Sequence, residues 1–295
     1  MKFTKMQGIG NDYVYINCFE ETVENPEELA IRVSNRHFGV GADGLVLIYP
    51  SDIADFKMEM YNSDGSRGEL CGNSIRCLGK YVFDYGLTTK RKITVETLAG
   101  IKTLNLIVDN RKVIQVKVDM GTPILDPKKI PIKMEGEMIL GQPIQVGGEN
   151  YKITGVSMGN PHVVVFLHEM ECFLNKQYLK MLPLEKIGPL FEHHKLFPKR
   201  MNAEFVELMD RENVKVRVWE RGSGETMASG TGACAVVVAC SLNDFTDDVV
   251  NVHLLGGKLL IEWDRDENII YMTGPAVKVF DGELDKGFML TKIPG

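Results

Sequence analysis

The sequence predicts an α/β protein of two strand-rich halves, each organised around one central helix. Three observations predict it. A polar, glycine-rich turn runs into an amphipathic helix within residues 61–85. A second turn and helix of the same build begin at Glu220, and short apolar strands separated by turn residues flank both.

Taken in order, residues 3–17 read as strand, turn, strand, with Gly8, Ile9, Gly10, Asn11 and Asp12 as the turn. Gly8 and Gly10 are not a dinucleotide fingerprint, because no further glycine and no helix follow them. Asn11 reads as a turn residue offering its amide to solvent or ligand. A short helix over 26–35 takes Asn25 as its cap and Pro26 at its first position, where the missing N–H costs nothing. Gly39, Gly41 and Gly44 lie in a turn that continues as a strand at 45–49 rather than a helix. A tight turn is therefore favoured over a phosphate cradle. A further strand follows at 55–61.

The first reactive turn carries Cys71. Asn62, Ser63, Asp64 and Gly65 bend the chain, and Gly72 and Asn73 bend it again. Ile75, Leu78, Val82 and Phe83 then recur at helical spacing, predicting a helix from 74 to about 85 that opens at Asn73 or Ser74. An anion at a helix start gains up to about 2 kcal/mol. One pKa unit is worth about 1.4 kcal/mol, so a thiol starting near 8.5 could fall to roughly 7. The alternative is a buried, inert thiol, the usual state of a cysteine outside disulfides. The glycine, asparagine and helix start beside Cys71 favour function.

Strands follow at 93–96, 102–108 and 113–118, and the run Met120, Gly121, Thr122, Pro123 breaks the pattern. The predicted domains are thus 1–119 and 120–274. The second half has strands at 144–146 and 151–156, a turn through Met158, Gly159, Asn160, Pro161 and His162, and an apolar strand at 163–167. A helical stretch at 183–193 and strands at 204–208 and 214–219 come next. The turn from Glu220 to Glu225 then leads to Ser229, Gly230, Thr231, Gly232 and a helix of small residues, followed by strands at 253–255, 258–263 and 269–272. The repeated order suggests a duplication. His162 has two readings, a residue satisfied within its turn or one lining a site. Glu220 and Arg221, directly before a glycine-rich turn, favour ligand contact, since arginine grips a carboxylate through two hydrogen bonds.

At 295 residues, 44% hydrophobic and 25% charged, the composition is that of a globular protein. A net charge of −6 without a basic stripe argues against nucleic acid. No apolar run reaches a membrane span and the N-terminus lacks the apolar core of a signal peptide, so a cytoplasmic location with no membrane partner is expected. Six cysteines, at 18, 71, 77, 172, 234 and 240, form no CxxC pair and read as reduced thiols.

Two helix starts facing each other across a cleft could set an acid and a base on opposite faces of one carbon, which inverts a stereocentre. The same amides would hold a carboxylate as charge spreads into it. No pyridoxal lysine or metal cluster is evident, so the expectation is cofactor-independent chemistry at the α-carbon of an amino acid, with no metal.

Gly10-Asn11-Asp12, residues 61–66, Cys71-Gly72-Asn73, Gly159-Asn160-Pro161-His162, residues 220–226 and residues 230–234 together resemble the signature segments of the diaminopimelate epimerase family, in order and over nearly the whole chain. The resemblance implies two pseudo-symmetric α/β domains, each a β-barrel-like sheet wrapped around a central helix, with 275–295 returning to the first domain. It implies conversion of LL- to meso-diaminopimelate without cofactor, in lysine and cell-wall synthesis, and a homodimer. Carried over by position, Asn11, Asn62, Asn160 and Asn202 would bind the substrate's polar ends. Gly72, Asn73, Gly230 and Thr231 would hold the α-carboxylate, Glu220 and Arg221 the distal groups, and His162 and Glu220 would support the site. Where some relatives have a tyrosine this chain has Phe280, and Gly44 stands where some have a polar substrate contact.

One position departs from the family pattern, which has a second catalytic cysteine where this chain has Ser229. An aliphatic alcohol lies several units above a thiol, and the roughly 1.5 units that a helix start supplies do not close the gap. Three readings follow: an engineered cysteine-to-serine exchange that traps substrate, a natural relative that uses Cys71 alone in the manner of a hydroxyproline dehydratase, or a non-catalytic amino-acid-binding protein. A racemase of another amino acid is the alternative on the substrate side.

Overall fold

The computed structural model describes residues 1–169 and 179–290; Cys172 lies outside them. The chain forms two compact units, residues 1–118 with the C-terminal segment from Gly274, and residues 119–273.

The first unit runs β1 (Lys2–Gly8), β2 (Asn11–Asn17), α1 (Pro26–Ser34), β3 (Gly44–Tyr49), β4 (Phe56–Asn62), β5 (Arg67–Gly68), α2 (Gly72–Asp84), β6 (Lys92–Thr97), β7 (Gly100–Asp109) and β8 (Lys112–Gly121). The second runs β9 (Gln142–Val146), β10 (Glu149–Ser157), β11 (Pro161–Phe166), α3 (Leu184–Glu192), β12 (Asn202–Asp210), β13 (Asn213–Glu220), β14 (Gly224–Thr226), α4 (Gly230–Leu242), β15 (Val249–Leu254), β16 (Gly257–Asp264) and β17 (Ile269–Pro275). The last strand, β18 (Val277–Glu283), pairs with β1.

Both units repeat one topology. The first orders its strands β18-β1-β2-β3-β4-β6-β7-β8. The second orders them β9-β10-β11-β12-β13-β15-β16-β17. In each, the third and fifth joins are parallel and the rest antiparallel. A parallel join needs a crossover, and the helices supply it: α1 and α3 bridge the third join, α2 and α4 the fifth. Each central helix touches strands from both halves of its order, α2 packing on β1, β2, β7 and β18, and α4 on β10, β11, β12, β15 and β16. The sheets therefore curl around their helices, while among the described residues no pairing joins first strand to last. The barrel-like expectation holds in curvature and not in closure.

Sequence dictates how each helix is buried. Residues 232–240 of α4 are apolar on every face and all buried, as a helix enclosed by sheet requires. In α1, Leu29, Ala30 and Val33 fall on one face and join Val14, Ile16, Leu45 and Leu47 in a core cluster. In α3, Gly188 permits a close approach: an added Cβ would lie 2.2 Å from the Trp219 ring.

Two local expectations change. Asn25 occupies the cap position of α1, yet its side chain makes no cap bond, and the chain is held there by the Leu29 N–H donating to the Asn25 carbonyl. The helix expected from 74 begins at Gly72, with Cys71 as its N-cap. Glycine and asparagine read as turn formers, but the first turn of a helix leaves its N–H groups unpaired in any case and tolerates both. Among the described residues, no helix is long and apolar enough to cross a membrane.

Candidate active site

The two central helices start alike. Each has thirteen residues, and their N-cap residues adopt the same extended backbone, φ −124° and ψ 120° at Cys71, φ −115° and ψ 118° at Ser229. This geometry leaves the amides of Gly72 and Asn73, and of Gly230 and Thr231, in the first turn of their helices. Each helix start is then surrounded by residues of its own unit.

In the first unit, the β1–β2 turn brings Asn11 to Cys71, whose thiol donates to Asn11 Oδ1 over 3.1 Å. The other end of that amide is engaged as well: Nδ2 donates to Asp43 Oδ2 at 2.7 Å. Asp43 also accepts from the Asp12 backbone N–H at 3.1 Å and from Arg36 at 2.9 Å. Burial raises and the hydrogen bonds from Arg36 and Lys5 lower the Asp12 pKa, and the net result lies below its ordinary value. Burial first, then the neighbouring Cys71, pushes the buried Tyr13 phenol well above its ordinary range. Strand register sets Tyr13, Gly44 and Asn62 side by side across β2, β3 and β4. Asn62 donates to Ser66 Oγ at 3.0 Å. An added Cβ at Gly44 would lie 2.2 Å from the Tyr61 carbonyl, so a side chain here needs a different backbone path. Asn73 is buried, and the fully buried Arg76 donates to the Gly72 carbonyl at 3.2 Å, tying down the helix start. Cys77 is a different kind of cysteine: burial pushes its thiol up to about 11 and keeps it inert.

In the second unit, Ser229 is buried and its Oγ accepts the Gly232 N–H at 3.2 Å, a hydroxyl N-cap. Thr231 accepts from Asn160 Nδ2 at 3.2 Å. Asn160 Oδ1 lies 3.0 Å from His162 Nε2, and His162 Nδ1 lies 2.6 Å from Glu204 Oε1. His162 and Glu204 are both fully enclosed, so the two readings of His162 merge: it is satisfied within the fold and its partner contacts the helix start. Asn202 is buried and braces two loops, donating to the Pro161 carbonyl and accepting the Arg221 N–H, each at 2.8 Å. Glu220 accepts from the Thr226 hydroxyl, while Arg221 is exposed and donates to the Lys199 carbonyl at 3.0 Å. The turn that follows them is anchored by Glu192, which accepts the Gly222 N–H at 2.9 Å and the Trp219 indole N–H at 2.8 Å.

Asp43, Tyr13, Arg76, Glu204 and Glu192 escaped the sequence reading. Each lies on a different element from the residue it holds, or several residues away, and no local pattern flags it. The repeat would have helped with one: Tyr13 and His162 hold equivalent register positions, opposite Gly44 and Asn202.

The sequence matches the diaminopimelate epimerase family over residues 3–125 and 154–279. The chain belongs to that family. Similar relatives include the diaminopimelate epimerase of Acetivibrio thermocellus, 60% identical over 285 residues that cover 97% of this chain and 99% of that one. The diaminopimelate epimerase of Methanococcus maripaludis strain C5 is 55% identical, covering 97% and 100%. Among solved structures, a probable proline racemase from Agrobacterium radiobacter K84 superposes with a TM-score of 0.70 at 12% identity, covering 98% of this chain and 95% of that one. At that identity the likeness establishes a shared fold alone. As a diaminopimelate epimerase family member, the chain is an isomerase.

Proposed function

We propose that the chain binds diaminopimelate and acts at its α-carbon without a cofactor, with Cys71 as one base and position 229 as the other. The observation that carries this reading is the pair of helix starts with matched cap geometry and Cys71 and Ser229 at the caps, in a chain of this family. Gly72, Asn73, Gly230 and Thr231 offer amides for the α-carboxylate, where negative charge grows as the proton leaves. Glu220 and Arg221 hold the distal amino and carboxylate groups. Asn11, Asn62, Asn160 and Asn202 line and brace the site.

Ser229 is a sound cap and a poor base. Its Oγ is engaged by Gly232, and an alcohol's pKa lies too far above a thiol's for proton removal near neutrality. This chain therefore exchanges the α-proton on the Cys71 face only and interconverts the epimers slowly. The test is solvent deuterium incorporation with LL- and meso-diaminopimelate, followed by NMR. One epimer exchanging through Cys71, with loss of exchange in Cys71→Ala, supports the reading. No exchange with either epimer, in this chain and in Ser229→Cys, would sink the substrate assignment and turn the search to other amino acids and hydroxyprolines.

The enzyme is further proposed to work in the cytoplasm as a homodimer through β18. Val277, Val279 and Phe280 on this strand are exposed apolar side chains, a patch of the kind that marks association sites. Sedimentation equilibrium is expected to give a dimer that Phe280→Asp converts to monomer; a wild-type monomer at working concentration removes the proposal.

A further inference from the structure

We infer that Asp43 is a positioning residue for Cys71, acting through the side-chain amide of Asn11. An amide can present either its oxygen or its nitrogen to a neighbour, and the two ends have opposite effects on a thiol. Oxygen accepts the S–H and keeps the proton on sulfur; nitrogen donates to sulfur and favours the thiolate. Asp43 decides between them. Its carboxylate can only accept, so the Asn11 Nδ2 that lies 2.7 Å from it is held there and Oδ1 is turned to Cys71 Sγ at 3.1 Å.

Asp43 is itself held on three sides. Arg36 donates to its second oxygen at 2.9 Å, the Asp12 N–H donates to the first at 3.1 Å, and the Asp43 N–H donates back to the Asp12 carbonyl at 2.8 Å. Arg36 also spans to Asp12, which pairs with Lys5. Titratable groups near the sulfur within this unit include Tyr13 and Tyr15, and Cys77 on α2 with Arg76 beside it. The cap at Ser229 has the opposite polarity, since there a backbone N–H donates to the side chain. Within its own unit, Cys71 is thus set to rest as the thiol.

This inference rests on Cys71 being the working thiol, but its test reads the thiol itself and can fail while the substrate assignment stands. Cys71 alkylation by iodoacetamide is followed against pH in the full-length chain by mass spectrometry of its peptide, since only the thiolate reacts. Asp43→Ala is expected to lower the midpoint by about half a unit, a roughly threefold faster reaction below it. Asn11→Ala lowers it similarly, and adding Asp43→Ala to Asn11→Ala changes nothing further, because the effect passes through the amide. An unchanged midpoint in Asp43→Ala overturns the inference. So does an equal shift in both backgrounds, which would mean a through-space charge effect. If Asp43→Ala does not fold, Asp43→Ser serves, its hydroxyl being too short to reach Asn11.

Discussion

Ser229→Cys is expected to raise the rate of LL to meso interconversion by about 10²- to 10⁴-fold, the usual contribution of a positioned proton-transfer group. The new sulfur would sit at the N-cap of α4, where the Gly232 N–H now donates to Oγ at 3.2 Å, and donation of that kind favours a thiolate. The exchange also removes a good cap. Serine is among the preferred N-cap residues and its loss costs about 1 kcal/mol, so the variant should be faster and slightly less stable. Chiral chromatography of the products and urea denaturation measure the two effects separately. Cys71→Ala in the same background should abolish the gain, because inversion needs a group on each face. If interconversion does not rise in Ser229→Cys, the two-base assignment of position 229 is wrong, and the one-base or binding-protein readings take its place.

Glu204→Ala is expected to destabilise the fold by about 3 kcal/mol, in the range for removing one partner of a buried pair. Glu204 and His162 are both wholly enclosed, with 2.6 Å between Oε1 and Nδ1. The alanine leaves the His162 ring nitrogen without its partner and opens a space beneath the start of α4, where an added Cβ at Gly232 would lie 2.8 Å from Glu204 Oε1. The second oxygen, Oε2, has no hydrogen-bond partner among the described residues and is already a cost in the folded state. Glu204→Gln should therefore cost much less: an amide keeps the contact with His162 and buries no charge. His162→Ala combined with Glu204→Ala should cost less than the sum of the two. Urea unfolding of the full-length variants decides it, and a loss below about 1 kcal/mol for Glu204→Ala would show that the pair contributes little.

Part of the surroundings of the α4 helix start is hidden in the sequence. Glu204 sits in an apolar strand, two residues after Asn202, and nothing local in the sequence marks it as a partner of His162. Only the pairing of β11 with β12 brings it to His162, 42 positions away in the chain. Gly188 read as one helical residue among others, and its need to be glycine appears only with the Trp219 ring against it.

What the sequence by itself determined is local. Turn residues before apolar runs place Cys71 and Ser229 at helix starts, β-rich runs between turns place the strands, and the order of these segments carries the family signature and the repeat. These follow from short-range sterics and hydrogen bonding, which a linear sequence contains. Only the tertiary structure decided the curl of each sheet, the first residue of α2, and which atoms meet the two caps. That the Asn11 amide shows oxygen to Cys71 depends on Asp43, brought beside it by the parallel pairing of β2 with β3. That Ser229 meets an N–H depends on the cap geometry of α4. The orientation of the Asn11 amide is set by a partner distant in sequence, so the polarity at Cys71 became readable only once the chain was folded.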